Sequence, residues 1–439
     1  MKRHIDQYLL NWKQISGRKV LLVRGARQVG KTYSIRTLAK QFRYKLEVNF
    51  EEDPAIKSFF EGSLSPQHIC EKLSAYFNIP IVEGETLLFF DEIQACPNAL
   101  KSLRFFYEKM PDLHVVAAGS LLELAIGEIP SFGVGRISSL FMYPMTFGEF
   151  LIVTEGQALS EILNSSYDKP IDAAFHQRLM EKFRVYSIIG GMPSIVESYR
   201  VHRDMRKCQN IIDELIINFQ DDFAKYREQS DLPVLQEVFS SIVQQTGRKF
   251  KYSNISTENK TYHYKRALDL LVKAGLAHKV YHTSARGIPL GAQVDDKKFK
   301  VLLWDIGVYQ RLLGLNLSEF LVQDDCELIN KGSFAELFVG LEFIGNSSPL
   351  TREQLYYWHR EARSSNAELD YVIQKDTEII PVEVKSGIRG KLQSMNIFLE
   401  ERNLKNGICF SPNNFYQSAS ISYMPIYMAG QITKPLKTS

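Results

Sequence analysis

KVLLVRGARQVGKTYSIRTLAKQF, Lys19 to Phe42, decides how the front of this chain is read. Lys19 to Val23 is a short apolar run of the kind that forms a buried strand. Ile35, Leu38 and Phe42 then recur at helical spacing. Between strand and helix lie Gly25, four residues, and Gly30-Lys31-Thr32, the spacing of a phosphate-binding Walker A loop. Glycines let such a backbone wrap a chain of phosphates with its N–H groups turned inward. Lys31 adds a mobile positive charge and Thr32 a hydroxyl for Mg²⁺. Gly25, Ala26, Arg27, Gln28, Val29, Gly30, Lys31 and Thr32 are therefore the expected ATP-binding set.

Such a loop needs acids opposite the phosphates, to hold Mg²⁺ and to polarise water. TLLFFDEIQ, Thr86 to Gln94, supplies them: a run buried on both faces delivers Asp91 and Glu92 at its carboxyl end, where parallel sheets bind ligands. Asp91 is the expected magnesium residue and Glu92 the expected water-polarising base. A third strand, LHVVAAGS, Leu113 to Ser120, ends in a hydroxyl placed to sense the terminal phosphate.

The order of these segments, followed by Gly135-Arg136, Tyr143-Pro144-Met145-Thr146-Phe147 and Glu149-Phe150, resembles the AAA+ ATPases of the prokaryotic signalling-type (STAND-like) branch. The resemblance extends to Gly191-Met192-Pro193 and covers about the first 225 residues. It implies an α/β ATPase core with a helical lid, and places Pro193 near the nucleotide base. Arg136 is the candidate for transition-state charge, acting within one subunit or across to a neighbour. A plain surface arginine is the competing reading, and Arg27 and Gln28 face either phosphate or solvent.

Helical spacing continues from Ala173 to about Tyr226, and REQSDLP, ending at Pro233, reads as a boundary. Beyond it, Leu235 to Val243, YSNIS and TYHYKRALDLLVKAGL suggest three helices, followed by AHKVYHT and KFKVLLWD as a two-stranded wing. A winged helix used on DNA would turn Lys260, His263, Lys265, Arg266 and Lys273 to the major groove. A winged helix used on proteins would keep them as a solvated face. With LLWDIGVYQRLLGL, the segment resembles an uncharacterised domain that follows this ATPase type.

ELDYVIQKDTEIIPVEVKSG, Glu368 to Gly387, alternates as a hairpin should. Glu383 and Lys385 share one face, Asp370 falls on the partner strand, and Glu336 in GSFAELFVGLEFIG offers a third acid. About one such Asp, Glu-x-Lys match arises by chance in a chain of this size, so the order of elements carries the weight. Helix, hairpin and the later NGICFSP strand resemble the restriction-endonuclease-like (PD-(D/E)XK) fold. That resemblance implies Mg²⁺ on Glu336, Asp370 and Glu383, with Lys385 positioning or deprotonating water.

The expected fold class is α/β. Its domains are an ATPase core at 1–165, a lid at 166–228, a winged-helix module at 229–315 and a nuclease-like domain at 316–439. The chain of 439 residues is 45% hydrophobic and 23% charged, with a net charge of +3 too small to argue for nucleic acid by itself. Five scattered cysteines give neither a zinc clip nor a disulfide framework. With no apolar run long enough to span a bilayer, the expected setting is the cytoplasm, with no membrane partner. ATP and Mg²⁺ are the expected cofactors. Two classes stay open: an ATPase whose rear half binds or cuts DNA, and a nucleotide-dependent switch whose rear half binds protein. Either is compatible with a homo-oligomer.

Overall fold

The computed structural model describes residues 1–120, 122–127, 133–165, 169–226, 230–256, 258–314, 332–361, 366–387 and 392–434. The chain divides into two units. The first is Met1–Tyr143 with the short segments Lys273–Gly275 and Pro349–Arg352. The second is Pro144–Val272, Leu276–Ser348 and Glu353–Ser439.

The first unit holds strands β1 Val20–Arg24, β2 Tyr44–Asn49, β3 Thr86–Asp91, β4 His114–Ala118 and β5 Ile137–Phe141. They form one sheet in the order β2-β3-β4-β1-β5, with every neighbour parallel. Buried side chains, mostly apolar, cover β3 and β4 on both faces and nearly all of β1. Helices Lys31–Ala39, Pro66–Phe77 and Pro97–Lys109 run between the strands, as a parallel sheet requires. The core includes an edge-to-face chain of rings: Phe50 to Phe60 at 5.3 Å, Phe60 to Phe90 at 5.6 Å and Phe90 to Phe106 at 5.9 Å. Register sets Val23 beside Ala118 and Phe90 beside Ala117, so β1, β4 and β3 end at one level.

This unit stops at Tyr143, short of the expected 165. The helix Phe147–Glu155 packs within the second unit, where the Phe147 ring meets Phe183 at 6.0 Å and Tyr186 at 5.7 Å. The Thr146-Phe147-Gly148-Glu149 stretch is a capping box. Thr146 Oγ1 accepts from the Glu149 N–H, and Glu149 Oε2 accepts from the Thr146 N–H at 3.0 Å.

The second unit holds helices Ala173–Ile189, Pro193–His202, Met205–Asp222, Leu232–Gln245, Thr261–Lys273 (most of it) and Gly332–Asn346. Its strands are β6 Ala277–Thr283, β7 Val294–Leu303, β8 Leu355–His359, β9 Glu368–Lys375, β10 Glu378–Val384, β11 Gly407–Ser411, β12 Tyr416–Ser418 and β13 Ile421–Pro425. All eight join one mixed sheet, ordered β12-β13-β11-β10-β9-β8-β6-β7. The hairpin expected as a wing, β6 and β7, is therefore not a free wing: β6 pairs in parallel with β8, which puts 229–315 and 316–439 on one sheet. The physical reason is burial, since most of β6 is covered on both faces. The YSNIS segment forms a 3₁₀ turn, Tyr252–Asn254, rather than a full helix. The domain limits expected near 166, 228 and 316 fall on or beside 166–168, 227–229 and 315–331, outside the described residues, as does Cys326.

Candidate functional site

In the first unit, β1 hands the chain to a loop at Gly25, whose φ is +145°. A Cβ there would lie 2.1 Å from the Met142 carbonyl oxygen, so only glycine fits. Gln28 and Gly30, at φ +61° and +99°, turn the loop into the helix Lys31–Ala39. Arg3, 7% exposed, braces it by donating to the carbonyls of Val29 and Tyr143, each at 2.8 Å. Nothing in the loop's own spacing points to a brace 26 residues earlier in the chain.

Lys31 is buried, and its Nζ donates to the carbonyls of Gly25 at 2.9 Å and Ala26 at 2.7 Å. Burial pulls its pKa down to about 8, against the opposing fields of Glu92 and Asp91, while Arg27 adds to the lowering. Thr32 Oγ1 donates to Asp91 Oδ2 at 2.9 Å. Burial holds the Asp91 carboxyl above its usual range against the Thr32 bond, with Glu92 adding to the rise. A hydroxyl and a carboxylate in direct contact, with the Asp91 Oδ1 accepting from the Glu92 N–H at 3.0 Å, suit a hard, oxygen-seeking ion such as Mg²⁺.

Glu92 adopts φ +47°, a conformation non-glycine residues rarely take. Its carboxylate accepts from Gln94 Nε2 at 2.6 Å, and Gln94 Oε1 is buried without a hydrogen-bond partner. Gly119 makes room for that amide: a Cβ there would sit 2.0 Å from Gln94 Oε1. Sequence reasoning stopped at Glu92 and missed this residue two positions on. Ser120 is buried just beyond β4, at the level where β1 and β3 end.

One candidate of the same unit stands apart from this group. Arg136 precedes β5, whose Ile137 pairs with Val20 at the opposite, amino end of β1. Four strand residues separate that level from the loop, about 13 Å, and Arg136 is bonded to Glu108 and to the Val134 carbonyl. Arg136 therefore does not join the loop within its own chain. Pro193 opens the helix Pro193–His202 in the second unit. Arg27 lies at the loop, 3.8 Å from Glu51.

The second unit brings together Glu336, Asp370, Glu383 and Lys385, and adds Lys300 and Glu368. Register pairs Val382 with Tyr371, which makes Asp370 and Glu383 the next cross-strand neighbours. Asp370 Oδ2 accepts from the Val384 N–H at 2.7 Å, and Lys385 Nζ meets Glu383 Oε1 at 2.7 Å. Lys300 on β7, 1% exposed, inserts its ammonium among the acids: 2.8 Å from Glu336, 2.8 Å from Glu368 and 3.9 Å from Asp370. Burial drives Glu336 up to about 8 against the pull of Lys300. Burial and then Asp370 drive Glu383 up to about 7, and its Oε2 is buried with no partner.

For Mg²⁺ to sit on Glu336, Asp370 and Glu383, as the resemblance implies, it would have to displace partners that these acids already hold. Lysines and a backbone N–H already engage one oxygen of each. Among the described residues, the one trio of ligating groups within 4.8 Å of one another lies elsewhere in the unit. Lys300 escaped the sequence reading because it comes from the hairpin assigned to a wing.

On the helix Thr261–Lys273, Lys260 just before it, His263, Lys265, Arg266 and Lys273 are exposed while Tyr264, Leu268 and Leu271 are buried. Separately, a cleft of about 590 Å³ is lined by Lys249, Lys251, Lys297, Arg360 and the rings of Phe250 and Tyr357. No described helix is long and apolar enough to cross a membrane.

Residues 17–151 match an AAA domain family. Residues 180–319 and 331–428 match two domains of unknown function, DUF8612 and DUF4143. The fold is similar to the Walker-type ATPase PABY2304 of Pyrococcus abyssi, at 16% identity and a TM-score of 0.45, over 71% of this chain and 95% of that one. It is also similar to the Aeropyrum pernix ORC1 protein in complex with DNA, at 13% identity and a TM-score of 0.29, over 73% of this chain and 95% of that one. No curated protein matches the chain in sequence. Over residues 17–151, the part that carries the glycine loop, the buried lysine and the strand-end acids, the chain is similar to an AAA domain.

Proposed function

We propose that the chain is a Mg²⁺-dependent ATPase whose second unit grips DNA without cutting it. The observation that carries the first half is the 2.9 Å contact from Thr32 to Asp91, which joins the loop hydroxyl to the strand-end acid. Backbone N–H groups from Gly25 to Thr32 receive the phosphates, and Lys31 exchanges two loop carbonyls for phosphate oxygens. Thr32 and Asp91 would hold Mg²⁺, which would supply positive charge opposite the phosphates. Glu92, steadied by Gln94, orients the attacking water, and Ser120 senses the terminal phosphate. Arg136 then serves a neighbouring copy or has no catalytic part. Glu92→Gln is expected to bind ATP and lose turnover by about 100-fold or more. Full turnover by that variant, measured as phosphate release, would refute the assignment.

The second half rests on Lys300. An ammonium already held by Glu336 and Glu368 supports a nuclease-like sheet kept for binding. The lysines and arginine of the cleft supply attraction to phosphate. Expected are DNA binding that weakens steeply with salt and no Mg²⁺-dependent nicking. Salt-insensitive association with a protein instead would favour the switch reading, and nicking abolished by Asp370→Ala would restore the nuclease.

A further inference from the structure

His282 and Asp295 come from adjacent strands of the second sheet, and Glu361 follows the end of a third. His282 lies on β6 just past a bulge, with Asp295 as its register partner on β7. Bulges re-aim side chains and recur beside functional sites. On its other side His282 neighbours Tyr357 of β8, and Glu361 follows the end of that strand at His359. One ligand atom from each of the three lies within 4.8 Å of the others.

The histidine is prepared for a ligand. His282 is 3% exposed, and its Nε2 lies 3.1 Å from the His359 carbonyl oxygen. A carbonyl only accepts, so the proton resides on Nε2 and the lone pair on Nδ1. Nδ1 is buried and has no partner. Metal-bound histidines are oriented in this way, one nitrogen donating to a backbone carbonyl and the other left to the ion. Tyr357 holds the ring edge-on, with centroids 5.5 Å apart. A cation already sits where the acids converge: Lys298 Nζ is 3.2 Å from Asp295 Oδ2 and also bonds Glu361 Oε1. Its side chain is 47% exposed and free to swing into solvent.

We propose that His282 Nδ1, Asp295 and Glu361 bind a divalent transition-metal ion of the Zn²⁺ class, which displaces the Lys298 ammonium. Imidazole beside two carboxylates selects such an ion over Mg²⁺ or Ca²⁺, which prefer all-oxygen shells. Ligand atoms on a tetrahedral Zn²⁺ lie about 3.3 Å apart, so the set contracts on binding, and exposed Glu361 at a strand end has the freedom to close it. Three protein ligands leave a fourth position. Glu361 and Lys298 also line the basic cleft, so that position suits an anionic oxygen of a ligand lying there.

The test uses the full chain, stripped with EDTA and titrated with Zn²⁺ and, separately, with Co²⁺. One ion per chain is expected, and the Co²⁺ form shows d–d bands with no sulfur charge-transfer band, since nitrogen and oxygen are the ligands. Glu361→Ala and His282→Ala weaken binding by about 100-fold or more, beyond what outer-shell partners carry. Lys298→Ala tightens it by about fivefold, because the competing ammonium is gone. Melting curves report folding, and if His282→Ala unfolds the chain, the Glu361 and Lys298 variants decide. No retained ion, a thiolate band, or an affinity indifferent to both of those variants overturns the site.

Discussion

The two charged sites of this chain are opposites. At the loop of the first unit, a buried lysine is held by two carbonyls, and its pKa is pulled down to about 8. In the second unit, four carboxyls crowd around Lys300 and Lys385, and burial lifts Glu336 to about 8 and Glu383 to about 7. At the first site a buried ammonium bonds to carbonyls, and at the second four carboxyls share two ammonium groups. Burial alone penalises any ion, so the difference lies in which counter-charge each site must still acquire. A triphosphate satisfies the first from outside. Lys300 satisfies much of the second from within.

Breaking the internal pair should have the largest effect. Lys300→Met keeps the length of the side chain and leaves Glu336 and Glu368 without their buried partner, which costs about 3–5 kcal/mol. Denaturant unfolding of the second unit measures it, and a loss below ~1 kcal/mol would dissolve the contrast between the sites. Lys31→Ala removes a hydrogen-bonded charge worth ~2–3 kcal/mol to a bound anion, so ATP should bind about 100-fold more weakly in calorimetry. Stability should change little, because among the described residues Lys31 bonds to two loop carbonyls and to no carboxylate.

Asp370→Asn sharpens the comparison from the acidic side. The amide oxygen still accepts from the Val384 N–H, while one of the crowding charges disappears. Stability at pH 8 should rise in denaturant unfolding, because burial opposes the Asp370 charge and Glu368 repels it. Asp305 separates burial from crowding. It is buried and accepts from the N–H groups of Gly191 and Val308, and burial lifts its pKa to about 6. Between pH 4 and 6 the folded chain keeps a proton that the unfolded chain has released, so this contribution to stability falls as pH rises through that window and is flat above it. Asp305→Asn should erase that slope in melts taken at pH 4, 5 and 6.

Local spacing made the loop, the Asp91-Glu92 pair and the β9–β10 hairpin legible, because glycine placement and alternation act over a few residues. The long-range partners were not legible. Arg3 reaches Val29, and Lys300 reaches Glu336 and Glu368, through tertiary contacts that leave no periodic trace. Glu368 opens the quoted hairpin, but its partner Lys300 lies on β7, 68 residues earlier, so the spacing inside the hairpin does not mark it. The wing was misread for a related reason. A hairpin after a helix looks alike whether its edge is free or paired, and only the burial of β6 on both faces distinguishes the two.

Equilibrium binding of ATP to the intact chain in Mg²⁺ buffer, beside Lys31→Ala, tests the central claim most directly. Saturable binding by the unmodified chain, weakened about 100-fold by the substitution, is the expected result. Equal binding by both proteins, or none by either at millimolar ATP, would contradict it.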